Sequence, residues 1–112
     1  MADTKIASID PRRNVLTLVN IYEVEPERQA ELVQALSETT EQAIRHHDGF
    51  VSACIHRSLD GTKVVNYAQW ASKQHFDAFV QQPASRELLA RFAGIAKSVA
   101  PTLCTVDAVH TA

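Results

Sequence analysis

The stretch DGTKVVNYAQW, Asp60–Trp70, joins a turn signal to a strand signal and predicts how the middle of this chain folds. Asp-Gly is a favoured two-residue hairpin loop, because Gly accepts a positive φ without strain. The residues after it are rich in β-branched and aromatic side chains, which is typical of a strand. The sequence therefore predicts a hairpin in which TKVVNYAQWA pairs with the preceding run FVSACIHRS.

A two-residue loop at Asp60-Gly61 also predicts the register of this hairpin. Side chains alternate between the faces of a sheet, and directly opposed residues share a face. One face then carries three opposed pairs: Asn66 with Ile55, Ala68 with Ala53, and Trp70 with Val51. The other face carries Val65, Tyr67 and Gln69 opposite His56, Cys54 and Ser52.

The segments on either side of the hairpin complete a β-α-β-β-α-β order. Asn14–Val24 reads as a buried strand, and a helix that begins near Pro26 is expected to end at Asp48-Gly49. Ser72 is expected to cap a helix over KQHFDAFVQQ, which Pro83 interrupts. SRELLARFAGIAKSVA restarts the helix, Pro101 stops it, and TLCTVDAVH forms the last strand. The predicted fold class is α+β, a ferredoxin-like split β-α-β antiparallel sheet of order 4-1-3-2 with both helical segments on one face. We predict a single domain over residues 1–112, with an ordered core at about 14–110.

Composition narrows the classes of partner. The chain has 112 residues, a net charge of −2 and 21% charged residues. Its basic residues are scattered among acids, which disfavours nucleic acid and anionic membrane surfaces as partners. The polar start, MADTKIASIDPRRN, has no apolar run of signal-peptide length, so we expect a cytoplasmic protein.

The cysteines and histidines do not form a recognisable metal motif. Cys54 and Cys104 lack CxxC spacing and are expected to be free thiols in a reducing compartment. His46 and His47 are adjacent, so on a helix they point in different directions and cannot face one ion. We therefore expect no metal, and because the single glycines of DGFVSA and LDGTK do not form a G-x-G-x-x-G loop, we expect no flavin either.

The first strand is apolar on both sides, which has a consequence for assembly. Leu16, Leu18 and Tyr22 alternate with Val15, Val19 and Ile21, yet two helical segments cover only one sheet face. The opposite face needs a cover that the chain does not supply. We therefore predict a homodimer in which two sheets pack face to face.

Asn66 and Trp70 are unusual residues on a strand face that otherwise looks like core. If helices cover this face, the small Ala53 and Ala68 leave room for an apolar cavity that an amide and an indole enter. The alternative is structural: a core tryptophan bonded to a nearby carbonyl, and a satisfied buried amide. The residues alone leave both interpretations open.

Over about Asn14–His110 the chain resembles the antibiotic biosynthesis monooxygenase (ABM) family. The resemblance rests on EVEPERQAELVQAL, and on HDGFVSACIHRSLDGTKVVNYAQWASKQHFDAF with its strand ending in W-x-S. DGTKVVNYAQW is most similar to the branch that oxidises anthrone-type aromatic polyketides to quinones. The resemblance implies a dimeric α+β barrel and oxidation by O₂ without flavin, haem or metal, of an anthrone-type or quinol substrate.

The resemblance also implies catalytic roles for Asn66, Trp70 and Asn20. Asn20 lies on the face of Leu18 and Tyr22, so the two amides are expected to meet in one cavity. We expect the substrate to contact five further residues: Phe76, Phe79, Tyr22, Ile55 and Ala68. Some members of the branch carry a phenol where this chain has Phe76, which can stack but cannot donate a hydrogen bond.

Two other functions remain open. Haem-degrading relatives also use an Asn on the first strand and a Trp on the third, but they need an iron-ligating His on the following helix. The corresponding region here surrounds Val80, and His75 comes too early. The other alternative is a non-catalytic barrel that binds a small molecule, since fold does not fix function.

Overall fold

The computed structural model describes residues 5–112 as one antiparallel sheet with helices packed on one side. The strands are β1 (Leu16–Glu23), β2 (Phe50–Arg57), β3 (Lys63–Trp70) and β4 (Ser98–Cys104). The helices are α1 (Gln29–Gln42), α2 (Lys73–Gln81) and α3 (Pro83–Ile95), with 3₁₀ turns at Pro26–Arg28 and Ile44–His46. The strand order β2-β3-β1-β4 is the predicted order, and the α+β fold class is confirmed. Residues 1–4 of the predicted domain lie outside the described residues.

The predicted hairpin register is correct over most of its length. Asn66 pairs with Ile55, and Ala68 pairs with Ala53. The register shifts between Phe50 and Ser52, so Trp70 lies opposite Phe50, and the predicted pairing with Val51 is wrong. A bulge adds one residue to one strand and moves every later partner by one position. This bulge places the aromatic ring of Phe50 next to Trp70.

The predicted length of the hairpin loop is also wrong, although its predicted centre at Asp60-Gly61 is correct. The Ser58 amide donates to the Lys63 carbonyl at 3.0 Å, and the Gly61 amide closes a turn on the Ser58 carbonyl at 3.2 Å. Gly61 has a φ of 81°, which a side chain would disfavour. The Asp60 carboxylate accepts hydrogen bonds from the Thr62 amide and hydroxyl, and these bonds lower the pKa of Asp60 to about 2. The longer loop is still centred on Asp60-Gly61, so the pairing register of β2 and β3 next to the loop is the predicted one.

Two helix ends differ from the sequence prediction. Helix α1 ends at Gln42, well before Gly49, because Ala43 already has a non-helical φ of −129°. Gly49 instead has a φ of 84° and packs so closely on the His75 ring that a Cβ would collide with it. Helix α3 ends at Ile95, and Pro101 lies inside β4. Pro101 is tolerated there because β4 is an edge strand, where a missing N–H breaks no pairing on the open side.

The main core lies between the sheet and helices α1 and α3. Leu32, Leu36, Val64 and Phe92 are all at most 2% exposed, and they form one cluster with Tyr22 and Val24. Burial of each large apolar side chain contributes about 1.5–3 kcal/mol to folding. Ile55 packs against this cluster. The core thus fixes the β2–β3–β1 part of the sheet beneath the helices.

The opposite face of the sheet is partly covered by the start of the chain. Ala7, Ser8 and Ile9 line a groove on this face together with Cys54 and Tyr67. The expectation that no other part of the chain reaches this face is therefore wrong. The cover is incomplete, because Ile21 on β1 remains 38% exposed. No helix among the described residues has the length and hydropathy to cross a membrane.

Candidate active site

A cavity of about 470 Å³ lies between the sheet and the helices. Its volume is within the range of small-molecule sites, and most of its wall is apolar, as in such sites. The wall combines inward-facing strand residues with residues of α1, α2 and α3. The strand residues are Leu18, Asn20, Tyr22, Phe50, Ala53, Asn66, Ala68, Trp70, Val99, Pro101 and Leu103; the others include Leu36, Thr40, Ile44, Phe76, Phe79, Leu89 and Phe92.

Small side chains on neighbouring strands create the space. Ala53 on β2 and Ala68 on β3 are direct partners, and Ala68 is also the partner of Leu18 on β1. Larger side chains at the two alanines would fill the volume beneath the helices. The sheet therefore has a recess at its centre, with bulkier residues at both ends.

Asn20 and Asn66 are direct partners across β1 and β3, so the two carboxamides lie side by side on the cavity floor. The Oδ1 atom of each is buried and has no hydrogen-bond partner within residues 5–112. A buried acceptor without a donor costs about 1–3 kcal/mol. Both residues line the cavity, so two unsatisfied amides lie beside the space that a ligand with hydrogen-bonding groups would fill.

Trp70 is held in a cluster of aromatic rings. Its ring is stacked on Phe79 at 5.0 Å between centroids, and it meets Phe50 and Phe76 edge-on at 5.5 Å and 6.0 Å. Only 2% of its surface is exposed. Such a cluster fixes the plane of the indole and provides flat, apolar walls for an aromatic ligand.

The N-terminus of α2 places the two phenylalanines. The Ser72 hydroxyl accepts a hydrogen bond from the His75 amide at 3.1 Å and caps the helix, as its sequence predicts. Phe76 and Phe79, three residues apart, then lie on the same side of α2. The His47 ring packs against Phe79 at 4.8 Å and supports it from outside.

The edge strand β4 forms an exposed part of the cavity wall. Val99 and Leu103 line the cavity and are 43% and 41% exposed. Pro101, the partner of Asn20, lies between them on the same strand. A flat ligand entering past β4 would therefore meet the two amides first and Trp70 further in.

Among the described wall residues, Tyr22 is the only one whose side chain titrates. It is 4% exposed, and its ring packs edge-on against Phe92 at 6.5 Å. Burial raises the pKa of Tyr22 from 10.0 to about 12. The phenol is therefore neutral at any physiological pH, since desolvation disfavours the phenolate.

Most residues singled out in the sequence meet in this cavity. They are Asn20, Tyr22, Asn66, Ala68, Trp70, Phe76 and Phe79. Ile55 shares their sheet face and packs against the main core, but it is not among the residues that line the cavity. The wall residues Phe50, Phe92 and Pro101 were missed. The shift of the β4 boundary and the bulge beside Phe50 explain two of these omissions.

Comparison with known proteins identifies the family. Residues 15–91 match the antibiotic biosynthesis monooxygenase (ABM) family. The chain belongs to this family. Over 78 residues it is also 50% identical to the tetracenomycin-F1 monooxygenase of Streptomyces glaucescens, which covers 70% of each chain.

Solved structures of ABM proteins agree with this fold. The monooxygenase ActVA-Orf6 of Streptomyces coelicolor, solved with nanaomycin D, is 32% identical, with a TM-score of 0.79 over 92% of this chain and 96% of that chain. A variant of SnoaB, a cofactor-independent oxygenase from Streptomyces nogalater, superposes with a TM-score of 0.75 over 86% of this chain and 96% of that chain. SnoaB is 21% identical, so that comparison supports the fold alone.

Proposed function

We propose that this ABM protein is a cofactor-independent monooxygenase that uses O₂ to oxidise an anthrone-type aromatic polyketide, or a related quinol, to a quinone. The similarity to tetracenomycin-F1 monooxygenase supports this reaction class. The cavity supports it from chemistry, since aromatic walls surround a floor of two unsatisfied amides.

The substrate's own acidity makes a redox cofactor unnecessary. An anthrone loses a proton from its central methylene, because the resulting carbanion delocalises into the ring carbonyl as an oxyanion. This electron-rich anion can pass an electron to O₂. The protein then has to bind a flat substrate, favour the anion and exclude water, and all three tasks suit an apolar cavity with aromatic walls.

The paired amides are the observation that carries the proposal. An amide N–H aimed at the developing oxyanion lowers the barrier by about 3 kcal/mol per donor. The unpartnered Oδ1 atoms of Asn20 and Asn66 call for donors on the ligand. An anthrone whose carbonyl is flanked by phenols offers both an acceptor and donors. Its oxyanion accepts hydrogen bonds from the amide N–H groups, and its O–H groups donate to the Oδ1 atoms. The indole N–H of Trp70 adds a further donor deeper in the cavity.

We also propose a cytoplasmic homodimer. The half-covered sheet face with its exposed Ile21 supports the dimer, because an apolar face of this kind is a typical association surface. The free thiols Cys54 and Cys104 support a reducing compartment.

Binding and turnover can be tested on the same sample. Trp70 is the only tryptophan of the chain, so its fluorescence reports directly on the cavity. We expect 1,8-dihydroxyanthrone to be oxidised with one O₂ consumed per quinone formed, and the quinone product to quench Trp70. Haem titration provides the control for the haem-degrading alternative. Quenching without oxygen uptake would favour a non-catalytic binding protein, and a bound-haem absorption band would favour haem chemistry.

A further inference from the structure

We propose that Tyr22 is a catalytic residue, and that its phenol donates the proton that releases water from the peroxide intermediate. This assignment rests on the proposed function, because it concerns a step of that reaction. Tyr22 was expected from its sequence only to contact the substrate.

Quinone formation requires a proton donor beside the peroxide oxygen that leaves as water. Addition of O₂ to the anthrone methylene forms a C–O bond and gives a carbon that carries one hydrogen and a hydroperoxide. The O–O bond then breaks, the carbon loses its remaining hydrogen as a proton, and a carbonyl forms. The departing oxygen leaves as hydroxide unless an acid protonates it to water. Each cycle oxidises the carbon by four electrons and reduces O₂ to one carbonyl oxygen and one water.

Within the described wall of the cavity, Tyr22 is the one group able to exchange a proton in this way. Carboxamide and indole N–H groups bind anions but do not release protons near neutral pH. The phenol can protonate the departing oxygen, and the resulting phenolate can accept the proton lost from carbon. Tyr22 therefore ends the cycle neutral, with no net proton taken from solvent.

The position of Tyr22 fits this role. It lies two residues after Asn20 on the same face of β1, a rise of about 6.6 Å along the strand. The carbon that bears the oxyanion and the reacting carbon of an anthrone lie at opposite corners of one six-membered ring. In the proposed pose the oxyanion meets Asn20 and Asn66 and the ring extends along β1 towards Tyr22, which brings the reacting carbon to the phenol. The direct strand partners of Tyr22 are Val64 and Val99, so no polar side chain lies directly opposite the phenol on either neighbouring strand.

The surroundings keep the phenol protonated and oriented. The edge-on contact with Phe92 fixes the ring. Burial raises the pKa of Tyr22, so the phenol keeps its proton in the resting state and gives it up only to a more basic acceptor, such as the departing hydroxide. General acids of this kind typically contribute about 100-fold or more to a rate.

Tyr22→Phe tests the step, and Tyr67→Phe is the matched control. The chain has two tyrosines. Tyr67→Phe removes the same hydroxyl group, but from the opposite face of the sheet, away from the cavity. In stopped-flow experiments with 1,8-dihydroxyanthrone, oxygen uptake and quinone absorbance are recorded together. We expect wild type and Tyr67→Phe to show no delay between the two signals. Tyr22→Phe should consume O₂ first and form quinone about 100-fold more slowly.

The delay separates this role from a structural one. A cavity that is merely distorted by Tyr22→Phe would slow oxygen uptake and quinone formation together. Equal loss of both signals, or no loss of either, would overturn the assignment to Tyr22 while leaving the proposed function intact. Absence of oxygen uptake in the wild type would instead overturn the proposed function.

Discussion

Asn66→Ala separates a ligand-binding amide from a structural one. The Asn66 Oδ1 atom is buried without a partner, so its removal orphans no group of the protein. The free energy of unfolding should therefore stay within about 1 kcal/mol of the wild type. Loss of one oxyanion donor should lower kcat for 1,8-dihydroxyanthrone by about 100-fold. Thermal melts and oxygen uptake on the same preparation measure the two effects.

Gln29→Ala is the matched control for this experiment. Gln29 is also a buried amide, but its Nε2 donates to the carbonyls of Ser58 and Lys63 at 3.0 Å each. Its removal takes one of the two donors from each of these carbonyls, which keep their backbone partners, and should cost about 0.5–1.5 kcal/mol per lost hydrogen bond. The melting temperature should then fall by about 4–8 °C per kcal/mol, with turnover per folded molecule unchanged. If Asn66→Ala behaves like Gln29→Ala, the catalytic role of the amide is refuted.

Four further changes have defined outcomes. Trp70→Phe keeps a ring but removes the N–H, so kcat measured by oxygen uptake should fall while product binding, measured by equilibrium dialysis, is retained; weaker binding at unchanged kcat would contradict the hydrogen-bonding role. Gly49→Ala should lower the unfolding free energy in urea by at least about 1–2 kcal/mol, because it adds a Cβ at a φ of 84° against the His75 ring; wild-type stability would contradict this packing. Burial raises the pKa of Tyr22 from 10.0 to about 12, so the folded state retains a proton that the unfolded chain releases, and stability should fall as pH rises through this window by up to about 2–3 kcal/mol. Tyr22→Phe should not show the fall in stability that Tyr22 causes, and a pH profile of stability identical to that of the wild type would contradict the raised pKa. Tyr67→Asp should lower the sedimenting mass from dimer to monomer, since it buries a charge in the proposed interface; an unaltered dimer would place the interface elsewhere.

The strand register could be predicted from sequence because side chains alternate with a period of two. Once the hairpin was centred on Asp60-Gly61, the shared face of Asn66 and Ala68 followed. The same alternation placed Asn20 on that face, and the fold order then made it a direct partner of Asn66. These inferences needed only local periodicity and a common topology.

Other features depend on contacts that periodicity does not reveal. Ile55 has the correct face, but α1 and its core cluster lie above it, whereas the cavity lies above Ala53 and Ala68. The alternation of a strand gives the side of the sheet and not the helix that covers each position. Pro101 was interpreted as a stop signal, and only the edge position of β4 shows why a strand can include it. That error moved Val99 and Pro101 out of the predicted site.

Incorporation of labelled oxygen tests the central claim most directly. Purified protein treated with a chelator and free of flavin absorbance is mixed with 1,8-dihydroxyanthrone under ¹⁸O₂, and the quinone is analysed by mass spectrometry. A cofactor-independent monooxygenase transfers one oxygen atom to the product and releases the other as water, so the quinone should gain a single ¹⁸O at the oxidised carbon. An unlabelled quinone, or turnover that appears only when a metal or flavin is added, would contradict the account.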